Sequence, residues 1–215
     1  MIVNFTYEQE NISIDCFDDI IGNKLKRGKT FYEHGFLKHI RDNIEKGLIL
    51  DVGANIGNHT IYFAKYCASE VIAIEPLNEN VEKIYSNIKL NNLKNVTVIP
   101  GALSEKSGKF NPVYKKRNMG NVNMVRDNKG IINAVTYEDL HLNEDDIKFI
   151  KIDCEDMSFE VLKTFVPLLS RKNIPVSVEL DNNNVKKKAE YVLNPLGYNV
   201  VGKFNATPTY IFKKQ

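Results

Sequence analysis

The sequence is poor in the residues that mark several protein classes. It has no tryptophan and only three cysteines, Cys16, Cys67 and Cys154, among 215 residues. An odd number of widely spaced cysteines fits neither a disulfide framework nor a zinc site, and indicates a reducing compartment. No apolar run approaches the roughly 20 residues of a membrane span, and the N-terminus lacks the basic flank and apolar stretch of a signal peptide. We therefore expect a cytoplasmic protein without a membrane span.

An excess of charge of one sign is also missing. The net charge is +2 with 26% charged residues, which is too little positive charge to argue for a nucleic-acid partner. The hydrophobic content of 43% suffices for a full core. This length predicts one domain, residues 30–215, after a short extension, residues 1–29, with two strands that pair as a hairpin. The oligomeric state is left open.

Apolar runs and helical patterns alternate along the chain. The predicted strands are residues 48–52, 71–75, 96–99, 147–153 and 175–180, followed by an antiparallel pair at 197–203 and 209–213. Helical spacing of apolar residues predicts helices between them and over residues 30–46. This alternation predicts an α/β fold whose mostly parallel seven-stranded sheet is covered by helices on both faces. The polar stretch 104–136 interrupts it, and residues 109–114 and 131–136 are predicted to pair as an inserted hairpin.

The loop after the first predicted parallel strand is the most informative segment. A dinucleotide site has the spacing G-x-G-x-x-G, which lets bare backbone approach a pyrophosphate, whereas Gly53 and Gly57 are spaced G-x-x-x-G. Asp51 at the strand end would repel phosphate and attract an ammonium group. The loop therefore favours S-adenosylmethionine, which has a cationic amino-acid tail and no phosphate. The loop residues predicted to contact it are Asp51, Gly53, Ala54, Asn55, Gly57, Asn58 and Thr60.

Two later segments extend the same predicted crevice. Glu75, followed by Pro76, ends the second parallel strand, where an acid can accept both hydroxyls of a ribose. Small residues at Ala102 and Leu103, after the third strand, would let an adenine ring lie against the backbone. The alternatives are a surface acid and an ordinary turn. The pairing of a glycine turn with a strand-end acid disfavours the first alternative.

Acids follow the fourth and fifth predicted strands. They are Asp153, Glu155, Glu179 and Asp181. The carboxyl ends of parallel strands share one edge of a sheet, so these acids would repel each other unless a cation, a substrate proton or a raised pKa intervenes. One hypothesis is a Mg²⁺ or Mn²⁺ ion held by Asp153, Glu179 and Asp181. Exposure of some acids to bulk water, or their pairing with Lys151, is the alternative.

At these residues the chain resembles the FkbM-type methyltransferases, over roughly residues 30–180. The resemblance rests on the loop 51–60, on Glu75-Pro76, on Ala102-Leu103-Ser104 before Gly108, and on Lys151-Ile152-Asp153-Cys154-Glu155 running to Val161-Leu162. Phe31-Tyr32-Glu33 is similar to a short aromatic-acid element of the family, which adds Glu33 to the predicted cofactor residues. The resemblance implies a Rossmann-like class I fold and O-methyl transfer, often to a sugar hydroxyl.

The loop after the fourth strand departs from the family pattern. Where the family reads Asp-Val-Glu-Gly-x-Glu, this chain has Asp156 and Ser158 in place of the glycine and the second acid, so the loop should differ in shape. A second resemblance links Asp153 and Asp181-Asn182 to metal-dependent O-methyltransferases of the catechol type. It is the reason for considering a divalent cation.

Methyl transfer to a hydroxyl needs alignment and a group that removes the proton. We predict Asp153 or Glu155 as that base, and His141, which precedes the fourth strand, as a further candidate. The predicted acceptor is a carbohydrate or glycoside, whose hydroxyls the asparagines of the insert would bind; a merely solvated loop is the alternative. A catalytically inert cofactor-binding module and a nucleic-acid methyltransferase are competing hypotheses. Only the small basic patch 115–117 favours the latter.

Overall fold

The computed structural model describes residues 1–115 and 118–214, with the side chains of residues 115–121 excepted. In chain order, the strands and helices are β1 (Ile2–Tyr7), β2 (Glu10–Asp15), α1 (Ile20–Gly28), α2 (His34–Asn43), β3 (Leu48–Val52), α3 (Asn58–Tyr66), β4 (Glu70–Glu75), α4 (Asn78–Leu90), β5 (Val96–Pro100), β6 (Ala102–Leu103), β7 (Lys109–Lys115), β8 (Asn118–Arg126), β9 (Ile132–Val135), β10 (Ile147–Ile152), α5 (Ser158–Arg171), β11 (Val176–Glu179), α6 (Asn183–Leu193), β12 (Tyr198–Phe204) and β13 (Thr209–Lys214). Within the described ranges, no helix is long and apolar enough to cross a membrane.

Seven strands form the central sheet, in the order β12-β13-β11-β10-β3-β4-β5. The five strands from β11 to β5 pair in parallel, whereas β13 is antiparallel to both of its neighbours. The sheet is therefore mixed, and the predicted antiparallel closing pair is present. The strand order reverses between β3 and β10, and ligands of open α/β sheets bind beyond the carboxyl ends of the strands at such a point.

The two faces of the sheet have separate cores because successive strand residues point to opposite sides. On one face, Leu50 and Ile152 pack with Leu162 and Phe165 of α5. On the other, Ile49 and Phe149 belong to a cluster that also contains the buried aromatic residues Phe31, Phe36, Tyr62 and Phe63. Helices cover both faces, as the near-continuous apolar strands predict.

The N-terminal strands β1 and β2 form the predicted antiparallel hairpin, with Ile2 opposite Asp15. Its apolar residues Val3, Phe5, Ile12 and Ile14 are buried in the same cluster as Phe31. Helix α1 was not predicted. Only Gly22 and Leu25 of this helix are buried, so its sequence offers few apolar positions that indicate a helix. The Asp19 side chain caps it by accepting a hydrogen bond from the Gly22 amide.

The insert differs from the hairpin that the sequence predicts. Strand β7 pairs over most of its length with β8, from Phe110 opposite Arg126 to Tyr114 opposite Val122. Strand β9 meets β7 at only two residue pairs and runs parallel to β6. The predicted pairing of β7 with β9 is therefore present only at these two residue pairs, and the longer pairing with β8 was missed because its sequence is rich in asparagine. Residues 116 and 117 of the basic patch, and the side chains of Lys115, Asn118 and Asn121, lie outside what the structure describes.

Candidate active site

A cavity of about 500 Å³ opens at the carboxyl ends of β3, β4, β10 and β11. One side is mainly apolar and is lined by Leu77, Leu103, Phe110, Val122, Met124 and Met157. The lining also has an acidic part, formed by Glu33, Asp153, Glu155 and Glu179 together with Tyr32. We call these acids the acidic rim, and we call the loop 53–57 with Glu75 the glycine wall.

The glycine wall is held by backbone contacts. The amides of Gly53 and Ala54 both donate to the Ile74 carbonyl oxygen, at 2.9 and 3.1 Å, which fixes the loop to β4. Gly53 has φ +75°, and a Cβ there would lie 1.8 Å from the Asp153 carbonyl oxygen. Only glycine therefore allows the loops after β3 and β10 to approach this closely. The Gly57 backbone, at φ +83°, leads into α3.

Glu75 is buried to 4% exposure, lines the cavity and is fixed by three donors. The Asn55 amide donates to Oε2 at 2.8 Å, while the Leu77 amide and Asn80 Nδ2 donate to Oε1 at 3.1 and 3.0 Å. Burial raises the pKa of Glu75, and these hydrogen bonds oppose the increase. A carboxylate fixed in this way is suited to accept hydrogen bonds from the hydroxyls of a ribose.

The residues predicted to contact the cofactor divide into two groups. Those that line the cavity are Glu33, Gly53, Asn55, Glu75, Pro76, Ala102 and Leu103. Those outside the lining are Asp51, Ala54, Gly57, Asn58 and Thr60. The second group is structural: Asn58, for example, hydrogen-bonds both the amide and the carbonyl of Tyr32 through its side chain.

Asp51 requires a correction, because the ammonium group beside it belongs to the protein. Its carboxylate is fully buried, and Thr60 Oγ1 donates to Oδ2 at 2.6 Å. The other oxygen, Oδ1, lies 3.0 Å from Lys151 Nζ. Asp51 therefore neutralises a buried lysine, and a direct contact with the amino group of a cofactor is not supported.

Lys151 connects the glycine wall to the acidic rim. Its Nζ donates to the Gly53 carbonyl at 2.8 Å and lies 3.5 Å from Asp153 Oδ2. Burial disfavours its charge, but Asp51 and Asp153 outweigh this effect and raise the pKa of Lys151. The pairing of acids with Lys151, one of the alternatives from the sequence, is thus present for Asp51 and Asp153.

Asp153 and Glu179 form a hydrogen-bonded carboxyl pair inside the cavity. Burial, then the hydrogen bond to Asp153 and its negative charge, raises the pKa of Glu179 to about 10. Burial also disfavours the charge on Asp153, but Lys151 and the hydrogen bond from Glu179 hold the pKa of Asp153 below its usual range. These opposite directions favour one proton shared by the pair, with Glu179 as its donor and Asp153 as its acceptor.

The predicted Mg²⁺ or Mn²⁺ site is not supported by the donor set. Asp181 is exposed, lies outside the cavity lining and accepts a hydrogen bond from its neighbour Asn182. Asp153 and Glu179 already satisfy each other. Across residues 1–115 and 118–214, no group of three histidine, cysteine or acidic side chains is placed to hold a metal ion.

His141, the further candidate for the base, does not lie at the cavity. It is exposed, adopts a left-handed conformation at the end of the 3-10 helix Glu138–Leu140, and does not line the cavity. Its neighbours Leu140 and Leu142 pack against the core, which leaves His141 on the surface. Glu155, the other candidate beside Asp153, does line the cavity and has φ +51°.

The loop after β10, which departs from the family pattern, is held by a hydrogen bond of its own. Ser158, which stands where the family has an acid, is 1% exposed, and its Oγ accepts a hydrogen bond from the Cys154 amide at 2.9 Å. This contact joins the end of β10 to the start of α5. The loop therefore differs from the family pattern but is ordered by a specific hydrogen bond.

Several lining residues were missed by the sequence interpretation. They are Lys24 of α1, Tyr32, Asn80, and Phe110, Val122 and Met124 of the insert. Val122 and Met124 alternate with polar residues, which was an available signal for a strand with one buried face. Asn80 has no such signal, since its role depends on where α4 begins relative to Glu75.

The strand order, the glycine wall and the strand-end acid together define a class I methyltransferase fold. Solved structures support this at low sequence identity. The precorrin-6y C5,15-methyltransferase of Geobacter metallireducens is 17% identical, with a TM-score of 0.51, over 85% of this chain and 87% of that one. M. jannaschii TYW2, in complex with AdoMet, is 16% identical, with a TM-score of 0.50, over 100% and 87%.

A family model, the methyltransferase FkbM domain, matches residues 51–196, and the chain therefore belongs to the FkbM methyltransferase family. Its methyl donor is S-adenosylmethionine. The FkbM methyltransferase of Methylobacillus flagellatus is 16% identical, with a TM-score of 0.51, over 92% of this chain. The chain spans about half of that protein, 55% of its length. No curated protein sequence matches the chain.

Proposed function

We propose that this methyltransferase transfers the methyl group to a hydroxyl of a carbohydrate or glycoside. The observation that carries the proposal is that the carboxylate of Asp153 lines the cavity beside the glycine wall, 3.5 Å from the ammonium group of Lys151, which lowers its pKa. An ionised carboxylate can take a hydroxyl proton and accept hydrogen bonds from a polyol.

The residues of the cavity fit S-adenosylmethionine. Glu75 would hold the ribose hydroxyls, and the apolar residues Leu77 and Leu103 would flank the adenine ring. Glu33 and Glu155 of the acidic rim would complement the positive charge of the cofactor. When bound, the cofactor supplies an electrophilic methyl group on a sulfonium.

Asp153 is the proposed proton acceptor. As the acceptor oxygen forms its bond to the methyl carbon and the carbon–sulfur bond breaks, that oxygen becomes positively charged and strongly acidic. A carboxylate of low pKa is then basic enough to take the proton, so the depressed pKa of Asp153 is compatible with this role. Lys151 Nζ, 3.5 Å from Asp153 Oδ2, and the carboxyl group of Glu179 both position the Asp153 carboxylate.

The acidic rim also bears on the nucleic-acid alternative. Glu33, Asp153 and Glu155 line the cavity, and among its described lining residues Lys24 is the one cation. A phosphodiester backbone would meet net negative charge at this opening. The rim thus favours a hydroxyl-rich acceptor without a phosphate chain.

The test is methyl transfer from labelled S-adenosylmethionine to a panel of glycosides and, in parallel, to a bulk tRNA pool. We expect the labelled methyl group on sugar hydroxyls. In the variant D153N, calorimetry should show intact cofactor binding, while methyl transfer should be lost. Label on tRNA alone would replace the proposal with the nucleic-acid activity. Cofactor binding without transfer to any acceptor would identify an inert module.

A further inference from the structure

The exposed face of helix α1 continues the wall of the active-site cavity. Ile20 and Lys24 line that cavity, and with Asp19, Asn23 and Arg27 they also line a second, adjoining cavity. Residues 20, 23, 24 and 27 have the spacing i, i+3, i+4, i+7, so they form one side of the helix. The opposite side carries the buried Gly22 and Leu25.

This face presents two cations, Lys24 and Arg27, against one carboxylate, Asp19, which lines both cavities. In the part of the chain that the structure describes, neither Lys24 nor Arg27 forms an ion pair, and the Lys24 ammonium lies 4.7 Å from the centre of the Tyr32 ring. The nearby Asp19 carboxylate is oriented by the Gly22 amide that it caps, at 2.9 Å. Two cations one turn apart can bind one anionic group together.

We propose that Lys24 and Arg27 form a subsite for an anionic group, a phosphate or a carboxylate, attached to the acceptor sugar. This inference rests on the proposed function, since it assigns the part of the acceptor that lies beyond the methylated unit. The acidic rim repels an anion from the cavity itself, whereas α1 attracts it at the edge. The subsite therefore fixes which end of the acceptor enters.

The experiment measures binding to protein saturated with S-adenosylhomocysteine, so that acceptor binding is separated from cofactor binding and turnover. The probes are methyl glucoside, methyl glucuronide and glucose 1-phosphate. We expect at least one anionic probe to bind about tenfold more tightly than the neutral one, a difference of roughly 1.4 kcal/mol. The uronate and phosphate arms distinguish the two kinds of anion, and added salt should reduce the preference.

The variants are K24Q/R27Q and the matched control K26Q, whose exposed side chain is on the same helix but lines neither cavity. The preference for the anion should disappear in K24Q/R27Q and persist in K26Q. Equal binding of all three probes, or a preference that survives in K24Q/R27Q, would overturn the subsite. Weaker binding of S-adenosylhomocysteine by K24Q/R27Q would also overturn it, by assigning these residues to the cofactor. Absence of methyl transfer to every sugar, with the anion preference intact, would instead refute the proposed function alone.

Discussion

The glycine wall and the acidic rim are neighbouring parts of one cavity but are held by different forces. The wall depends on backbone: two amides donate to Ile74, and Gly53 leaves no space for a side chain. The rim depends on charge: Lys151, Asp153 and Glu179 adjust each other's protonation. A shape held by backbone is altered by added atoms, whereas a charge cluster is altered by a change of one proton.

The largest expected effect falls on the rim. Asp153→Asn keeps the size of the side chain but removes the proton acceptor, so we expect kcat to fall about 1,000-fold, roughly 4 kcal/mol in activation free energy. Cofactor affinity, measured by calorimetry, should change less than threefold. Asp181→Asn is the control, because Asp181 lies outside the cavity lining. Equal losses in the two variants would contradict the assignment of Asp153.

On the wall, Gly53→Ala should have the largest effect on stability. The new Cβ would lie 1.8 Å from the Asp153 carbonyl oxygen, and the alanine would have to keep the backbone at φ +75°. We therefore expect the free energy of unfolding to fall by about 3 kcal/mol. Denaturant unfolding measures it. Gly35→Ala, with nothing within 4 Å of the new atom, should be neutral or stabilising. A stable G53A protein would show that the two loops separate easily.

Glu75→Gln tests the chemistry of the wall. One amide oxygen cannot serve the three donors that now bind Glu75, nor accept as strongly from ribose hydroxyls. We expect the dissociation constant of S-adenosylmethionine to rise about 30-fold, or roughly 2 kcal/mol, by calorimetry. Glu82→Gln, on the exposed side of α4, should have no effect. Unchanged affinity in E75Q would remove Glu75 from the cofactor site.

Glu179→Gln tests the shared proton through stability. The pKa of Glu179 is raised from its ordinary 4.5 to about 10, so the native state binds the proton more tightly and loses stability as pH rises between these values. Glutamine remains neutral and can still donate to Asp153. We therefore expect E179Q to match the parent near pH 4 and to melt roughly 2–4 °C higher at pH 9, for about 1 kcal/mol. Glu45→Gln, which is exposed, provides the control; parallel melting curves for E179Q and the parent would contradict the shared proton.

The same comparison explains what the sequence predicts well. The two parts of the glycine wall, the loop 53–57 and Glu75, lie within 25 residues of one another, and each belongs to a local pattern of strand, turn and helix. Local patterns also predicted β3 at its observed bounds and a helix directly after it. Helix α1 escaped because it buries few residues, and β8 escaped because its composition is polar.

The rim could be located from the sequence, but its state could not. Lys151 donates to Gly53 across 98 positions of the chain, and such long-range contacts decide whether neighbouring acids are ionised, paired or bound to metal. The prediction that acids at the ends of β10 and β11 meet at one edge of the sheet holds for Asp153 and Glu179, which both line the cavity. The metal hypothesis is not supported, because the pKa of Glu179 is raised and Asp181 lies on the surface.

The smallest expected effect is the response to a chelator. If Lys151 and one shared proton relieve the repulsion between Asp153 and Glu179, this carboxyl pair does not require a divalent cation. Dialysis against EDTA should then leave kcat and KM unchanged, with and without added Mg²⁺ or Mn²⁺, in the labelled-methyl assay. A loss of activity that Mg²⁺ restores would mean that Asp153 and Glu179 give up their hydrogen bond to bind the ion. The acidic rim would then depend on a fixed geometry, as the glycine wall does.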